Sequence, residues 1–292
     1  METASSLSSG RAPRTPHFGG LPVRDGIYSL PALRLFPDLL HGISTRTSPQ
    51  GSDWNLSAKR GTPEHPANPD VAMSNRETLA ARLGIRLEHT VGCRQVHGTD
   101  VSLVGEAQGG AGMFPDRLPI EGVDALVTAT PGLYLMVLAA DCPPVFFYDP
   151  VRRAIGLAHS GWKGTVGRIS AHVVESMTAH WRSDPADIVA VVGPGIGACC
   201  YKVGSNVVEA VEESFPRAWT QAPAILELYD GSIYFNLAQA IRRTLLDAGL
   251  KSANVSLDGT CTMHNTAHFY SHRGEAGKCG LFGAVLGMRH AD

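Results

Sequence analysis

The 292 residues carry 25 basic and 27 acidic side chains, a formal net charge of −2, with 43% hydrophobic and only 18% charged residues. That balance excludes a basic field for nucleic acid, and no run of Lys or Arg stands in the chain to make one locally. No apolar run reaches the roughly 18 residues that a membrane helix needs.

Met1 to about Gly20 is rich in Ser, Gly and Pro without apolar periodicity, which predicts a disordered segment over 1–20. From Tyr28 onward, short apolar runs alternate with turns, as 32 Gly and 19 Pro favour. A helix is predicted over Asn75–Leu83 from Leu79 and Leu83 at i, i+4, and a strand over Val101–Val104. Strands follow over Val123–Thr128, Tyr134–Ala139, Val145–Tyr148 and Ala154–His159. Val166–Trp181 carries Ile169, Val173, Val174 and Met177 on one face, the pattern of an amphipathic helix. After a strand over Ile188–Val192, helices over Ser205–Phe215 and Asn236–Ala248 each open on a capping residue, the second stopping at Gly249. Strands over Ala253–Leu257, His268–Ser271 and Leu281–Gly287 close the chain. No repeat of fixed period and no linker after residue 30 interrupts this order. The expectation is one α+β domain over 21–292, with a core of mixed β-sheets, helices outside and a cleft lined by strand-end turns.

Six cysteines stand at 93, 142, 199, 200, 261 and 279, two of them adjacent. With no charged-then-apolar N-terminal signal, a cytoplasmic location and thiols that are free or metal-bound are expected. Three segments place histidine or cysteine beside Gly, Pro or Trp at strand ends: GCRQVHGTDV, LAADCPPVFFYDP and AIGLAHSGWKGTVGR. His97, Cys142 and His159 are candidate ligands of a divalent metal, since imidazole nitrogen and thiolate both suit zinc. Three protein ligands would leave a fourth tetrahedral position for water or substrate, as in catalytic zinc sites. Taken singly, a strand-end histidine is commonly a structural hydrogen-bonder and an apolar cysteine a small hydrophobe. The spacings of 45 and 17 residues match no local zinc motif.

Glycines after His159 would let a ligand approach backbone amides at a helix start, with Lys163 adding charge. Asp141, beside Cys142, is a candidate ligand-orienting group or proton acceptor. His264, His268 and His272 recur every four residues, but the β-forming Phe269-Tyr270 favours a loop and strand over a metal-bearing helix. Cys199-Cys200 follows GPGIGA, which lacks the spacing of a nucleotide fingerprint and reads as a packed turn before the helix at Ser205.

Five ordered motifs, CRQVHGTDV, DALVTATPGLYLMVLAADCPPV, IGLAHSGWKGT, VGPGIGACCYKVG and CT…FYSHRG, resemble a family over about His41 to Arg289. It is known variously as YfiH-like, laccase-domain, peptidoglycan editing factor or purine nucleoside phosphorylase proteins, and formerly as polyphenol oxidase. The resemblance implies a sandwich-like YfiH-like fold and a metal held by His97, Cys142 and His159, with zinc expected and copper the alternative. It also implies phosphorolysis of adenosine, inosine or methylthioadenosine, with adenosine deamination beside it. The expected partners are therefore a purine nucleoside and phosphate, with neither nucleic acid nor membrane. Catalytic candidates are Cys142, His159 and Asp141, and phosphate-binding candidates are Arg46, Lys163 and Arg273. The chain departs from the family pattern at Lys163, where arginine is common, at His272, where an aromatic is usual, and at Lys278-Cys279, where an arginine is expected.

Two further functions compete. A Cys142–His159 pair could serve a thiol hydrolase that edits peptidoglycan precursors. A copper polyphenol oxidase would need a dense histidine set, and the sequence contains no His-x-His.

Overall fold

The structure is a computed structural model that describes residues 23–290, so the segment expected to be disordered over 1–20 lies outside the described residues. Its strands are β1 (Val23–Arg24), β2 (Ile27–Tyr28), β3 (Leu39–Ser44), β4 (Thr90–Arg94), β5 (Val101–Leu103), β6 (Ile120–Glu121), β7 (Ala125–Thr128) and β8 (Tyr134–Ala139). They continue as β9 (Pro144–Asp149), β10 (Ala154–His159), β11 (Val189–Val192), β12 (Leu226–Tyr229), β13 (Ser232–Phe235), β14 (Val255–Leu257) and β15 (Phe282–Met288). The helices are α1 (Pro69–Leu83), α2 (Trp162–Val166), α3 (Ile169–Trp181), α4 (Ser205–Ser214) and α5 (Leu237–Asp247).

One sheet runs β1-β2-β3-β15-β8-β4-β6, the other β14-β11-β9-β10-β7-β5, and β12-β13 forms a separate hairpin. Both large sheets mix parallel and antiparallel pairs. Alternation along each strand explains why they stack. Leu135, Val137 and Ala139 of β8 and Ala284 and Leu286 of β15 share one buried cluster with Phe146 and Tyr148 of β9 and Ile155 and Leu157 of β10. The intervening Val145, Phe147 and Ala158 pack instead against Ile169, Val173 and Met177 of α3 and Ile241 and Leu245 of α5. On the far face of the first sheet, Leu40, Met136 and Val285 meet Leu79 and Ala80 of α1. The layers are therefore helix, sheet, sheet, helix, an α+β sandwich in which each large apolar side chain contributes about 1.5–3 kcal/mol by burial.

Tyr134–Ala139 and Ala154–His159 are strands at the predicted bounds. Elsewhere the structure corrects the expectation. The helix expected over Val166–Trp181 is α3, which ends at Trp181 as expected but starts only at Ile169, because Gly167 and Arg168, the latter at a φ of +61° that no helix interior accepts, separate it from α2. No strand forms over His268–Ser271, because the amides of His268 and Phe269 turn back onto Asn265 O. Phe269 and Tyr270 are fully buried there as anchors, Phe269 edge-on to Tyr28 and Phe282. Helix α1 begins at Pro69, six residues before Asn75, because the Asn68 side chain caps the amides of Asp70 and Val71.

Candidate functional site

Two crossovers from the first sheet to the second create the site. Strands β4 and β8 are parallel neighbours, so their C-terminal ends share one rim. From there β4 passes through residues 95–100 to β5, and β8 passes through 140–143 to β9. His159 ends β10 opposite Pro144, the first residue of β9, and so reaches the same rim. The topology thus brings His97, Cys142 and His159 together although 62 residues separate the first from the last. One donor atom from each of the three lies within 4.8 Å of the others, His97 exposed, Cys142 half-buried and His159 buried. The rings of His97 and His159 stand edge to face with centroids 4.9 Å apart.

Asp124, just before β7, organises two of these side chains. Its Oδ1 lies 2.8 Å from His159 Nδ1 and accepts the His97 amide at 3.1 Å. Its Oδ2 accepts the amides of Val96 and Gly98 at 2.9 and 2.8 Å. Three amides closing on one carboxylate hold His97 at a φ of +61°, a left-handed conformation that costs a non-glycine residue of order 1 kcal/mol or more. Because Asp124 occupies Nδ1 of His159, Nε2 is the nitrogen left for a metal, the carboxylate–histidine arrangement that orients zinc ligands. Burial opposes charge on Asp124, but the hydrogen bonds from His159, Gly98 and Val96 outweigh it and hold the carboxyl below its ordinary range.

Cys142 and His159 polarise one another. Burial alone would raise the Cys142 thiol, yet the His159 imidazolium beside it, with hydrogen bonds from His159 and His97, brings it down to about 6. Burial likewise opposes charge on His159, while the Cys142 thiolate and Asp124 raise it to about 9. A thiolate beside two imidazoles is a donor set that suits a soft or borderline divalent ion such as zinc.

The glycines after His159 bring the chain close to the candidate ligands. A Cβ on Gly161 would sit 2.9 Å from Cys142 Sγ and 3.2 Å from His97 Cδ2, and one on Gly167 would meet Thr99 Cγ2 at 2.5 Å. These glycines let α2 lie against the His97 turn, a Cβ on Gly164 also falling 3.0 Å from Gly98 O.

A cavity of about 620 Å³ opens on the three donors. Gln95, Asp141, Trp162, Tyr201, Leu281 and the cationic Lys59, Arg60 and Arg273 line it, with His272. Asp141 has a φ of +82° and both carboxylate oxygens engaged, one by Thr262 Oγ1 and the other by the Arg273 amide, each at 2.6 Å.

The family model described as multi-copper polyphenol oxidoreductase laccase matches residues 41–289. The chain belongs to this family. Among the family's relatives, a Bacillus subtilis protein named purine nucleoside phosphorylase YlmD is 33% identical over 254 residues, 87% of this chain and 90% of that protein. A protein of an unknown prokaryotic organism named adenosine deaminase RL5 is 34% identical over 201 residues, 68% and 74% of the two chains. The crystal structure of the Bacillus licheniformis hypothetical protein YfiH superposes with a TM-score of 0.82 at 29% identity, covering 92% of this chain and 98% of that one.

Of the remaining predicted site residues, the structure brings Asp141 and Arg273 to the cavity but neither Arg46 nor Lys163. Arg46 pairs with Glu275 at 2.9 Å, donates to Thr266 O and lies over the Tyr270 ring. Lys163 is exposed, with its ammonium 5.7 Å from the Trp162 ring centroid. Arg273 donates to Lys202 O and stands over Tyr201. Asp124 and Arg60 are absent from the sequence-derived set. A charged residue inside the apolar run VDALVT was the available signal for Asp124, whereas nothing local marks Arg60, whose Nη2 meets His272 Nδ1 at 2.8 Å from 212 residues away.

Proposed function

We propose that the chain is a zinc-dependent enzyme of purine nucleosides, catalysing phosphorolysis of substrates such as adenosine, inosine and methylthioadenosine, with adenosine deamination as a second activity. The observation that carries this reading is the convergence of His97, Cys142 and His159 on a cavity of nucleoside size whose wall also holds Arg60 and Arg273. The names of the family relatives agree with it. His97, Cys142 and the free nitrogen of His159 would hold the zinc, which supplies Lewis acidity and lowers the pKa of a coordinated water towards neutrality.

The chain's own residues divide the remaining work. Trp162 lines the cavity with an aromatic face on which a purine can stack. Lys59, Arg60 and Arg273 are the cations that line the cavity and would hold phosphate for attack on the sugar carbon. In phosphorolysis the glycosidic C–N bond breaks as a C–O bond to hydrogenphosphate forms, and the proton that hydrogenphosphate gives up ends on the departing base. Asp141, tied at both oxygens, acts by positioning the Arg273 segment rather than by carrying that proton.

The test is product analysis of adenosine and inosine incubated with and without phosphate. Free base with sugar 1-phosphate, dependent on phosphate, supports the reading, and conversion of adenosine to inosine without phosphate supports deamination. Absence of both would refute it.

The paired Cys142 and His159 favour a second reading, the thiol hydrolase editing peptidoglycan precursors. His97 separates the two, since a Cys–His hydrolase has no need of it. Copper oxidation draws no comparable support, because the His97 cluster is one three-donor site and the sequence lacks His-x-His.

A further inference from the structure

A second group of metal-binding side chains lies outside the cavity. Strands β11 and β14 are parallel, and their pairing continues as a bridge between Gly195 and Cys261, so the turns that follow each strand emerge side by side. The first turn carries Cys199 and Cys200, the second Cys261 and His264, and donor atoms of all four lie within 4.8 Å of one another. Cys199 Sγ is 3.5 Å from His264 Nδ1, and Cys200 Sγ is 3.3 Å from His264 Nε2.

We propose that Cys199, Cys200, Cys261 and His264 bind a second zinc ion, in a closed structural site. Zinc held at about 2.3 Å from sulfur and about 2.0–2.1 Å from nitrogen places tetrahedral ligand atoms about 3.5–3.8 Å apart, close to the spacing of this cluster. Three thiolates and one imidazole form a complete structural set, whereas the His97 cluster supplies three donors only. One His264 nitrogen suffices, and the exposed ring on a short 3-10 turn can present either. The Gly197 amide donates to Cys261 Sγ at 3.3 Å, the outer contact that a metal thiolate accepts. Glycine at 197 also eases the close packing of the cluster, since a Cβ there would sit 3.0 Å from Cys199 Sγ and 3.2 Å from Cys261 Cβ.

The site would act as a staple behind the cavity. Thr262, next to Cys261, holds Asp141 through its hydroxyl, and the Ile196 amide holds the Asp141 carbonyl at 2.7 Å. Both Ile196 and Tyr201, which flank the first turn, line the cavity.

The experiment is zinc analysis with X-ray absorption at the zinc edge on the reduced full-length chain, as wild type, His97→Ala, His264→Ala and Cys200→Ser. His97→Ala is expected to keep about one zinc with three sulfur neighbours, whereas wild type with both sites filled averages about two sulfurs per zinc. His264→Ala and Cys200→Ser should each lose about one zinc equivalent and melt at lower temperature. Should either variant fail to fold, the wild-type sulfur count still decides. Three sulfurs around a single zinc in wild type would support this site while counting against the His97 centre. One sulfur per zinc would overturn the proposal, as would zinc content unchanged by His264→Ala or a disulfide among the three cysteines in the zinc-loaded protein.

Discussion

Asp124 binds His159 through Nδ1 at 2.8 Å and gathers the amides of Val96, His97 and Gly98 on the same carboxylate, so one buried acid sets the orientation of two of the three candidate ligands. Asp124→Asn keeps the shape but replaces one acceptor oxygen by a donor facing amides. The expected result is a loss of zinc affinity at the His97 centre of about 10- to 100-fold, read by chelator competition. Unchanged affinity would mean that the carboxylate serves the turn and not the metal.

Gly161, the residue that opens α2, touches the same centre. Gly161→Ala pushes a methyl towards Cys142 Sγ and His97, where the available distances are 2.9 and 3.2 Å. A displacement approaching 1 Å at the reacting groups costs up to about a hundredfold in rate. The expected outcome is a large fall in kcat/KM for nucleoside with the far-ultraviolet circular dichroism spectrum retained. Full activity in this variant would contradict the placement of the three donors.

The sequence reading matched two buried strands at their bounds but did not reach the equally buried β3. Tyr134–Ala139 and Ala154–His159 are uninterrupted apolar runs because one face meets the other sheet and the opposite face meets a helix or an outer layer. It missed the β12–β13 hairpin, whose Tyr229 and Leu228 are exposed and whose pattern is mixed. His97, Cys142 and His159 entered as candidates from residue type and strand-end position, and as a set through the family resemblance. Their meeting depends on two inter-sheet crossovers that no local spacing encodes. Cys199-Cys200 was read as a packed turn and His264 as part of a loop and strand for the same reason, since only the parallel pairing of β11 and β14 unites them.

Arg46 illustrates a cation engaged within the fold. Its guanidinium joins Glu275, Thr266 O and the Tyr270 ring, a planar arrangement that an ammonium cannot reproduce. Arg46→Lys should lower stability on the order of 1–3 kcal/mol in denaturant unfolding while leaving KM for phosphate unchanged. Arg273→Ala should instead raise KM for phosphate. A raised phosphate KM in Arg46→Lys would place Arg46 in the anion site after all.

His41 gives the fold a pH dependence. Burial, aided by nearby Arg34, lowers its pKa from 6.5 to about 4, and its Nε2 accepts the Leu30 amide at 3.0 Å. The folded chain resists protonation that the unfolded chain accepts, so this contribution is complete above pH 6.5 and is lost as pH falls towards 4. The loss amounts to about 3 kcal/mol at most. Denaturant midpoints across that window should fall more steeply for wild type than for His41→Gln, and parallel slopes would refute the assignment.

The most direct test compares zinc content and phosphate-dependent release of free base in wild type and His97→Ala. The proposed metal centre predicts that the substitution removes about one zinc equivalent, the open site having three protein ligands, and abolishes phosphorolysis. Phosphate-dependent turnover that survives loss of His97 but not loss of Cys142 would contradict it and make Cys142 the nucleophile of a thiol hydrolase.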